Sequence, residues 1–338
     1  MIGFRVDANE YIATGHLMRC ISIALECRKL GTECKFYLAE DKLTERLQTL
    51  GFPYQILDSK WDDLEFEIEK LKKLMQKDCL EWLVVDSYQV TKRYLTQLNK
   101  ICKVMYIDDM ALEKYDVSAL LHYDSWEDAI VYQKQYEDSL VKVLAGTMYA
   151  PLREEFRNHK YVGQREKSIL FTTGGTDPFN VTMSFLKHLQ LSEELMDFEC
   201  YVIVGNMNNH EDEIRNYAKQ YSKIHVLKNI KNMSHYMERC SYAVSAGGTT
   251  LYELCACKIP TVCISFAENQ IDFAKKMDEK KVMLYAGDAR YIKDIGKDIS
   301  EKLLEYMRDE ELMKERIQNM TSLVDGNGAI RIAQVLTQ

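Results

Sequence analysis

The sequence predicts an α/β chain built from two parallel-sheet halves. Three observations lead there. Short apolar runs alternate with longer, charged helical stretches. The runs are rich in Val, Ile, Leu and aromatic residues on both faces, the signature of strands covered by helices on either side. The alternation halts in one strand-poor, charged segment near the middle and then restarts.

The first half opens with a strand at 2–6 (IGFRV). A helix at 17–30 follows and is closed by Gly31, a residue suited to the left-handed position after a helix. Strands are then expected at 34–38, 53–57, 82–86 and 103–107, with a charged helix at 62–77. The segment 146–167 carries no strand pattern and reads as the connection. The rhythm resumes with strands at 168–172, 199–204, 223–227, 242–246 and 260–264, and a short helix follows Asp325-Gly326-Asn327-Gly328. The division is therefore 1–150 and 151–338, with the last helix a candidate to pack back on the first half.

Bulk composition narrows the function. The 338 residues are 46% hydrophobic, enough for two cores, with only 15 glycines and 4 prolines, which excludes a low-complexity chain. A formal charge of −8 argues against nucleic-acid binding, which needs a basic footprint. A small anion is still compatible, because helix N-termini hold phosphate within acidic proteins. None of the ten cysteines forms a CxxC pair, so no thiolate zinc site is expected. No leader pattern and no apolar run of membrane-spanning length is evident. The expectation is a cytoplasmic protein with reduced, mostly buried thiols and no membrane span.

Five constellations carry candidate chemistry, each where a strand hands over to the next segment. RVDANEYIATGH (5–16) brings Arg5, Asp7, Asn9, Gly15 and His16 to the carboxyl end of the first strand, where open parallel sheets bind ligands. His16 at a helix N-terminus is disfavoured as imidazolium, which suits a general base; the alternative is a capping or packing histidine. TTGGTDP (172–178) and SAGGTTLYELCA (245–256) place Gly174, Gly175, Gly247, Gly248 and Thr249 where backbone N–H groups of a nest, or of the following helix, could meet a pyrophosphate. Either could equally be a tight turn. Glu253, in the first turns of the next helix, is placed to bind ribose hydroxyls or to be a solvated helix residue. FAENQID (266–272) offers Glu268, Asn269 and Gln270 on a loop. Asp86-Ser87-Tyr88 and Asp108-Asp109 end two strands; they suit metal, helix caps or sugar hydroxyls, and no third metal ligand is evident.

Taken together, these segments resemble the PseG family of UDP-sugar hydrolases in pseudaminic acid biosynthesis and its SpsG-type relatives. The resemblance runs through RVDANEYIATGHLMRC, VVDSY at 84–88, YIDD at 106–109, GTMYAPLREEF at 146–156, TTGGTDP, SAGGTTLYELCA, ENQ at 268–270 and the closing DGNGAIRI. It implies a MurG-like GT-B fold, two Rossmann-like domains facing a central cleft, with the sugar on the first domain and UDP on the second. It implies cleavage of UDP-2,4-diacetamido-2,4,6-trideoxy-β-L-altropyranose by water, with inversion and without metal or cofactor. Carried over, His16 is the base, and Asp7, Tyr88 and Asn269 face the sugar. Gly15, Gly174, Gly175, Gly247, Gly248, Thr249, Glu253 and Gln270 fall to the nucleotide sites, and Ile230 to the uracil. The expected partners are a UDP-sugar and UDP, and the expected state is a monomer. The chain departs from the family at Ala13 (usually glycine), Ser87 (usually histidine) and Gly247-Gly248 (usually Ser-Ser). The rival readings are a GT-B glycosyltransferase and a non-catalytic nucleotide-sugar binding protein.

Overall fold

The computed structural model describes residues 1–9, 15–42, 44–123, 126–159 and 165–338; the side chains of 126–128 and 269 are also outside the description. The chain divides into two compact units. Unit 1 is Met1–Glu154 together with Gly326–Gln338, and unit 2 is Glu155–Asp325.

Unit 1 contains β1 (Ile2–Val6), α1 (Gly15–Lys29), β2 (Cys34–Leu38), α2 (Glu45–Leu50), β3 (Tyr54–Ile56), α3 (Ile68–Lys77), β4 (Trp82–Asp86), α4 (Lys92–Asn99), β5 (Lys103–Ile107), β6 (Ala119–His122), α5 (Trp126–Gln135) and β7 (Lys142–Ala145). Its sheet runs β3-β2-β1-β4-β5-β6-β7, and every pairing is parallel. Strands β1 and β4 are buried along their whole length, as strands covered on both faces must be. α1 ends at Lys29, and Gly31 two residues on adopts a φ of 82°.

Unit 2 repeats the plan. It contains β8 (Glu166–Thr172), α6 (Val181–Leu191), β9 (Glu199–Val204), α7 (Glu211–Ala218), β10 (Ile224–Lys228), α8 (Met233–Arg239), β11 (Cys240–Ala246), α9 (Thr250–Ala256), β12 (Thr261–Ser265), α10 (Glu268–Glu279), β13 (Leu284–Asp288), α11 (Ile295–Arg308) and α12 (Glu310–Leu323). The sheet order is β10-β9-β8-β11-β12-β13, again all parallel. Its core includes Phe171, Phe185, Val202, Val244, Ile264 and Leu303. The final helix, α13 (Gly328–Leu336), belongs to unit 1 and packs on α1.

Both sheets share one property that places the sites. The strand order reverses between β1 and β4 in unit 1, and between β8 and β11 in unit 2. Crossovers leave in opposite directions there, which opens a crevice at the strand carboxyl ends. Four of the five constellations follow one of these four strands, wholly or, for the acidic pairs, in part.

Several expectations need correction. Strands β6, β7 and β13 were not foreseen; the first two have four residues each, and β13 contains Gly287 at a φ of 116°. The connection ends early, because β8 begins at Glu166. The helix expected from residue 62 starts as a 3-10 turn at Glu65–Glu67. Glu268, Asn269 and Gln270 form the first turn of α10 rather than a loop. All ten cysteines are free thiols, and eight of them are buried.

Candidate functional site

In unit 1 the crevice is built from the start of α1 and the ends of β4 and β5. His16, Arg19 and Cys20 stand three and four residues apart, so they share one helix face. That face meets Asp86, the last residue of β4. His16 Nδ1 lies 2.6 Å from Asp86 Oδ1. Arg19 Nε donates to Asp86 Oδ2 at 2.6 Å and Nη2 to Asp86 Oδ1 at 2.5 Å. The same guanidinium donates from Nη1 to Asp109 Oδ1 (3.0 Å) and from Nη2 to Asp109 Oδ2 (2.7 Å). Its last N–H goes to the Tyr123 hydroxyl at 2.5 Å. Cys20 Sγ donates to Asp86 Oδ2 at 3.5 Å.

Burial alone would raise the Asp86 carboxyl, but Arg19 and His16 outweigh it and hold the group below the ordinary carboxylate range. An ionised Asp86 only accepts hydrogen bonds, so the proton between it and His16 belongs to Nδ1. The 3.0 Å approach of Arg19 Nη2 to His16 Nδ1 is then a close contact between two donors. His16 is left with Nε2 as its basic nitrogen.

The polar atoms of His16, Asp86 and Asp109 lie within 4.8 Å of one another, so His16 adds to the acids a third group that the sequence did not reveal. The guanidinium of Arg19 already sits against all three. It supplies there the positive charge that a metal ion would otherwise bring.

Tyr88 follows β4 and sets its ring edgewise to His16, with centroids 4.7 Å apart. Its phenol is pushed upward, first by burial and then by the Asp109 carboxylate it donates to. A shallow depression of about 20 Å³ is lined by Asp7, His16, Trp61, Asp86, Ser87, Tyr88 and Gln89. Asp7 is part of that wall, yet both its oxygens are engaged. Oδ2 accepts from Arg5 Nη1 at 2.6 Å and Oδ1 from the Ala39 N–H at 2.7 Å. Arg5 is fully buried and also pairs with Glu67 through Nε and Nη2 at 2.6 and 3.0 Å. Asp108 is structural as well. It accepts from Tyr132 at 2.7 Å and from the N–H groups of Met110 and Ala111. Asn9 is buried, and Gly15 is exposed at the first position of α1. The intervening residues 10–14, with Ala13, lie outside the described residues.

In unit 2 the two glycine loops follow β8 and β11, but their donors are used differently from expectation. The N–H groups of Val181 and Thr182 at the start of α6 are taken by Asp177, at 2.8 and 3.0 Å, so that helix end is already capped. Gly247 N–H donates to Ile264 O and Gly248 N–H to Ala246 O, both at 2.8 Å. A nest of free glycine donors is therefore not formed. Among the described residues no acceptor is found for the N–H of Gly175 or Thr249. A Cβ on Gly247 would sit 3.0 Å from the Gln270 carbonyl, whereas one on Gly248 would meet open space. Gln270 spends its side-chain oxygen on the Phe266 N–H at 3.0 Å. Glu253 is partly buried on α9, and Ile230 lies partly buried between β10 and α8. The side chain of Asn269 is outside the description.

Sequence reasoning missed Arg19 and Trp61. Arg19 had a readable signal, three residues after His16 on one helix face. Trp61 had none, because the turn that brings it to the depression is irregular.

Known proteins place this geometry in context. Residues 169–334 match the glycosyltransferase family 28 C-terminal domain. Over 295 residues the chain is 27% identical to an uncharacterized protein of Methanocaldococcus jannaschii, covering 82% of this chain and 59% of that protein. Over 209 residues it is 22% identical to the spore coat polysaccharide biosynthesis protein SpsG of Bacillus subtilis, covering 61% of each. Over 269 residues it is 25% identical to the pseudaminic acid cytidylyltransferase and UDP-2,4-diacetamido-2,4,6-trideoxy-beta-L-altropyranose hydrolase of Helicobacter pylori, covering 78% of this chain and 44% of that protein. The chain thus spans between under half and about three-fifths of the length of these curated relatives. Among solved structures, MurG of Acinetobacter baumannii is similar with a TM-score of 0.68 at 10% identity, covering 99% of this chain and 98% of that one. This likeness, with the two parallel-sheet units, bears out the GT-B fold class. Among the described residues no helix is long and apolar enough to cross a membrane.

Proposed function

We propose that the chain is a UDP-sugar hydrolase that releases UDP and a free 2,4-diacetamido-2,4,6-trideoxyhexose in nonulosonic acid or related surface-polysaccharide biosynthesis. The observation that carries this reading is the His16–Asp86 pair, 2.6 Å apart at the crevice of unit 1. A buried carboxylate fixes the imidazole as the Nδ1–H tautomer and leaves Nε2 to take a proton. Water attacks the anomeric carbon and gives its proton to His16 Nε2. The bond from that carbon to the diphosphate oxygen breaks, and UDP leaves with the electron pair. Attack from the face opposite the leaving group inverts the centre. The reading gives the sugar to Asp7, Tyr88 and Asn269, and UDP to the loops of unit 2. There the N–H groups of Gly175 and Thr249 meet the charge developing on the diphosphate, and Glu253 takes the ribose. The curated relatives named for polysaccharide synthesis and for UDP-sugar hydrolysis support it.

The second reading is a glycosyltransferase, favoured by the family 28 match of residues 169–334. The same base would then serve an acceptor hydroxyl. The test is a panel of 2,4-diacetamido UDP-sugars incubated with the protein in ¹⁸O-water without acceptor. UDP release with one ¹⁸O at the anomeric carbon is expected. Release only when an acceptor is added would replace hydrolysis by transfer, and UDP binding without turnover of any donor would replace both.

A further inference from the structure

We propose that Arg19 is a positioning residue for the proposed reaction: its fork grips both oxygens of Asp86 and aims that carboxylate at His16 Nδ1, which leaves Nε2 as the base. This inference rests on the reading of His16 as the base.

Every donor of the Arg19 side chain has a partner. A guanidinium carries five N–H donors in a fixed plane. Here Nε and one N–H of Nη2 grip the two oxygens of Asp86. The other N–H of Nη2 and one of Nη1 grip the two oxygens of Asp109. The remaining N–H of Nη1 reaches Tyr123. All five donors are spent, and none is left for His16 Nδ1. The side chains of Arg19, Asp86 and Asp109 are 9%, 1% and 11% exposed, so little water competes for these partners.

Removing Arg19 reverses the logic of the site. Asp86 would remain buried beside Asp109, with Tyr88, Tyr123, Cys20 and His16 as its other titratable neighbours and without the guanidinium that pairs both carboxylates. Two such carboxylates do not both stay ionised. A protonated Asp86 becomes a donor, His16 Nδ1 becomes its acceptor, and the imidazole proton moves to Nε2. The base is then blocked although His16 has not moved. Lysine does not restore the arrangement, because three donors at one point cannot bridge two carboxylates edge to edge.

The test uses the full chain with ¹⁵N-labelled histidine, His16→Ala supplying the assignment. In the wild type the His16 ring should show a protonated Nδ1 and a bare Nε2. In Arg19→Ala the pattern should invert, with kcat reduced at least ~10²-fold and the Kd for UDP unchanged. The acid limb of the kcat profile should move to higher pH. Millimolar guanidinium should restore part of the rate in Arg19→Ala and none in His16→Ala. Should Arg19→Ala fail to fold, the uncharged Arg19→Gln is expected to show the same inversion. An Nδ1–H signal that survives loss of Arg19, with an unmoved pH profile, would overturn the proposal. The ring signals need no turnover. An inversion in a protein that hydrolyses no UDP-sugar would sink the hydrolase reading and leave the positioning role standing.

Discussion

Gly205 follows β9 and has an ordinary backbone conformation, so nothing in its φ demands glycine. Its surroundings do. A Cβ there would lie 2.1 Å from Gly174 O, 2.4 Å from Gly175 O and 2.6 Å from Gly175 C. All three are backbone atoms, so Gly205→Ala can be accommodated only by moving the 174–175 loop by roughly 1 Å. Overpacking of this kind costs about 1–3 kcal/mol. For a unit of this size that is ~2–12 °C in Tm. If Gly174 and Gly175 hold the diphosphate, a 1 Å displacement should also lower turnover by on the order of 10²-fold and weaken UDP binding. Gly248→Ala is the counterpart. Its Cβ meets no atom within 4 Å, so Tm should stay within about 1 °C, while any phosphate seated against Gly248 would be pushed away. Thermal unfolding and titration calorimetry with UDP read both effects. A lowered Tm in Gly205→Ala with wild-type UDP affinity would remove the 174–175 loop from the nucleotide site. Unchanged UDP affinity in Gly248→Ala would do the same for the second loop.

Four further outcomes are expected. His16→Ala should lower kcat at least ~10²-fold with UDP affinity retained, read by UDP release; wild-type turnover would remove His16 as the base. Glu67→Gln takes the charge from a buried group that accepts from Arg5, Tyr94 and Ser59, and should cost about 3 kcal/mol in urea unfolding; a loss under about 1 kcal/mol would mean that the Arg5 network is not a support of unit 1. The Asp86 carboxyl is held below its usual range, so its ionised form favours the folded state. That contribution is fully present above about pH 4 and fades as the pH falls through the lower, folded-state value. The stability gap between wild type and Asp86→Asn should therefore hold constant from pH 8 to about pH 5 and close only in stronger acid; a gap already closed at about pH 6 would contradict the ion pair. Finally, Arg19→Ala leaves His16, Asp86 and Asp109 close together without their cation. It should acquire Zn²⁺ binding measurable by calorimetry that the wild type lacks.

The sequence was most legible where a physical pattern is local. The runs at 2–6, 34–38, 82–86, 103–107 and 199–204 coincide with strands, because a strand covered on both faces has to be apolar throughout. Strands β6 and β7 escaped because ALLH and KVLA each hold only three apolar residues in a row, whereas β3 lies within the five-residue stretch at 53–57, and β13 escaped because a glycine interrupts it. The strand order is non-local. That β1 and β4 are neighbours, so that His16 meets Asp86 seventy residues away, follows from tertiary packing and not from periodicity. The glycine loops show the opposite limit. Gly-Gly-Thr suggests open donors, yet Gly247 and Gly248 spend theirs on Ile264 and Ala246, partners that only the folded loop supplies. Arg19 was in plain view within the GHLMRC segment. Its importance emerges only when its two carboxylate partners, on different strands, are brought to it.

The C-terminal helix has a consequence for synthesis. α13 buries Ala329, Ile332, Ala333 and Leu336 within unit 1, and a Cβ on its first residue, Gly328, would sit 2.2 Å from Ala150 O. It packs on α1, the helix that carries His16 and Arg19. Unit 1 is therefore begun before unit 2 and completed after it. At about 5–20 residues per second, a ribosome needs on the order of 10–40 s to travel from residue 154 to α13. For that time α1 waits with an apolar flank uncovered while unit 2 is being made. A nascent chain arrested before Gly328 should thus carry an unsealed first unit, which makes α13 the segment that completes the His16 crevice.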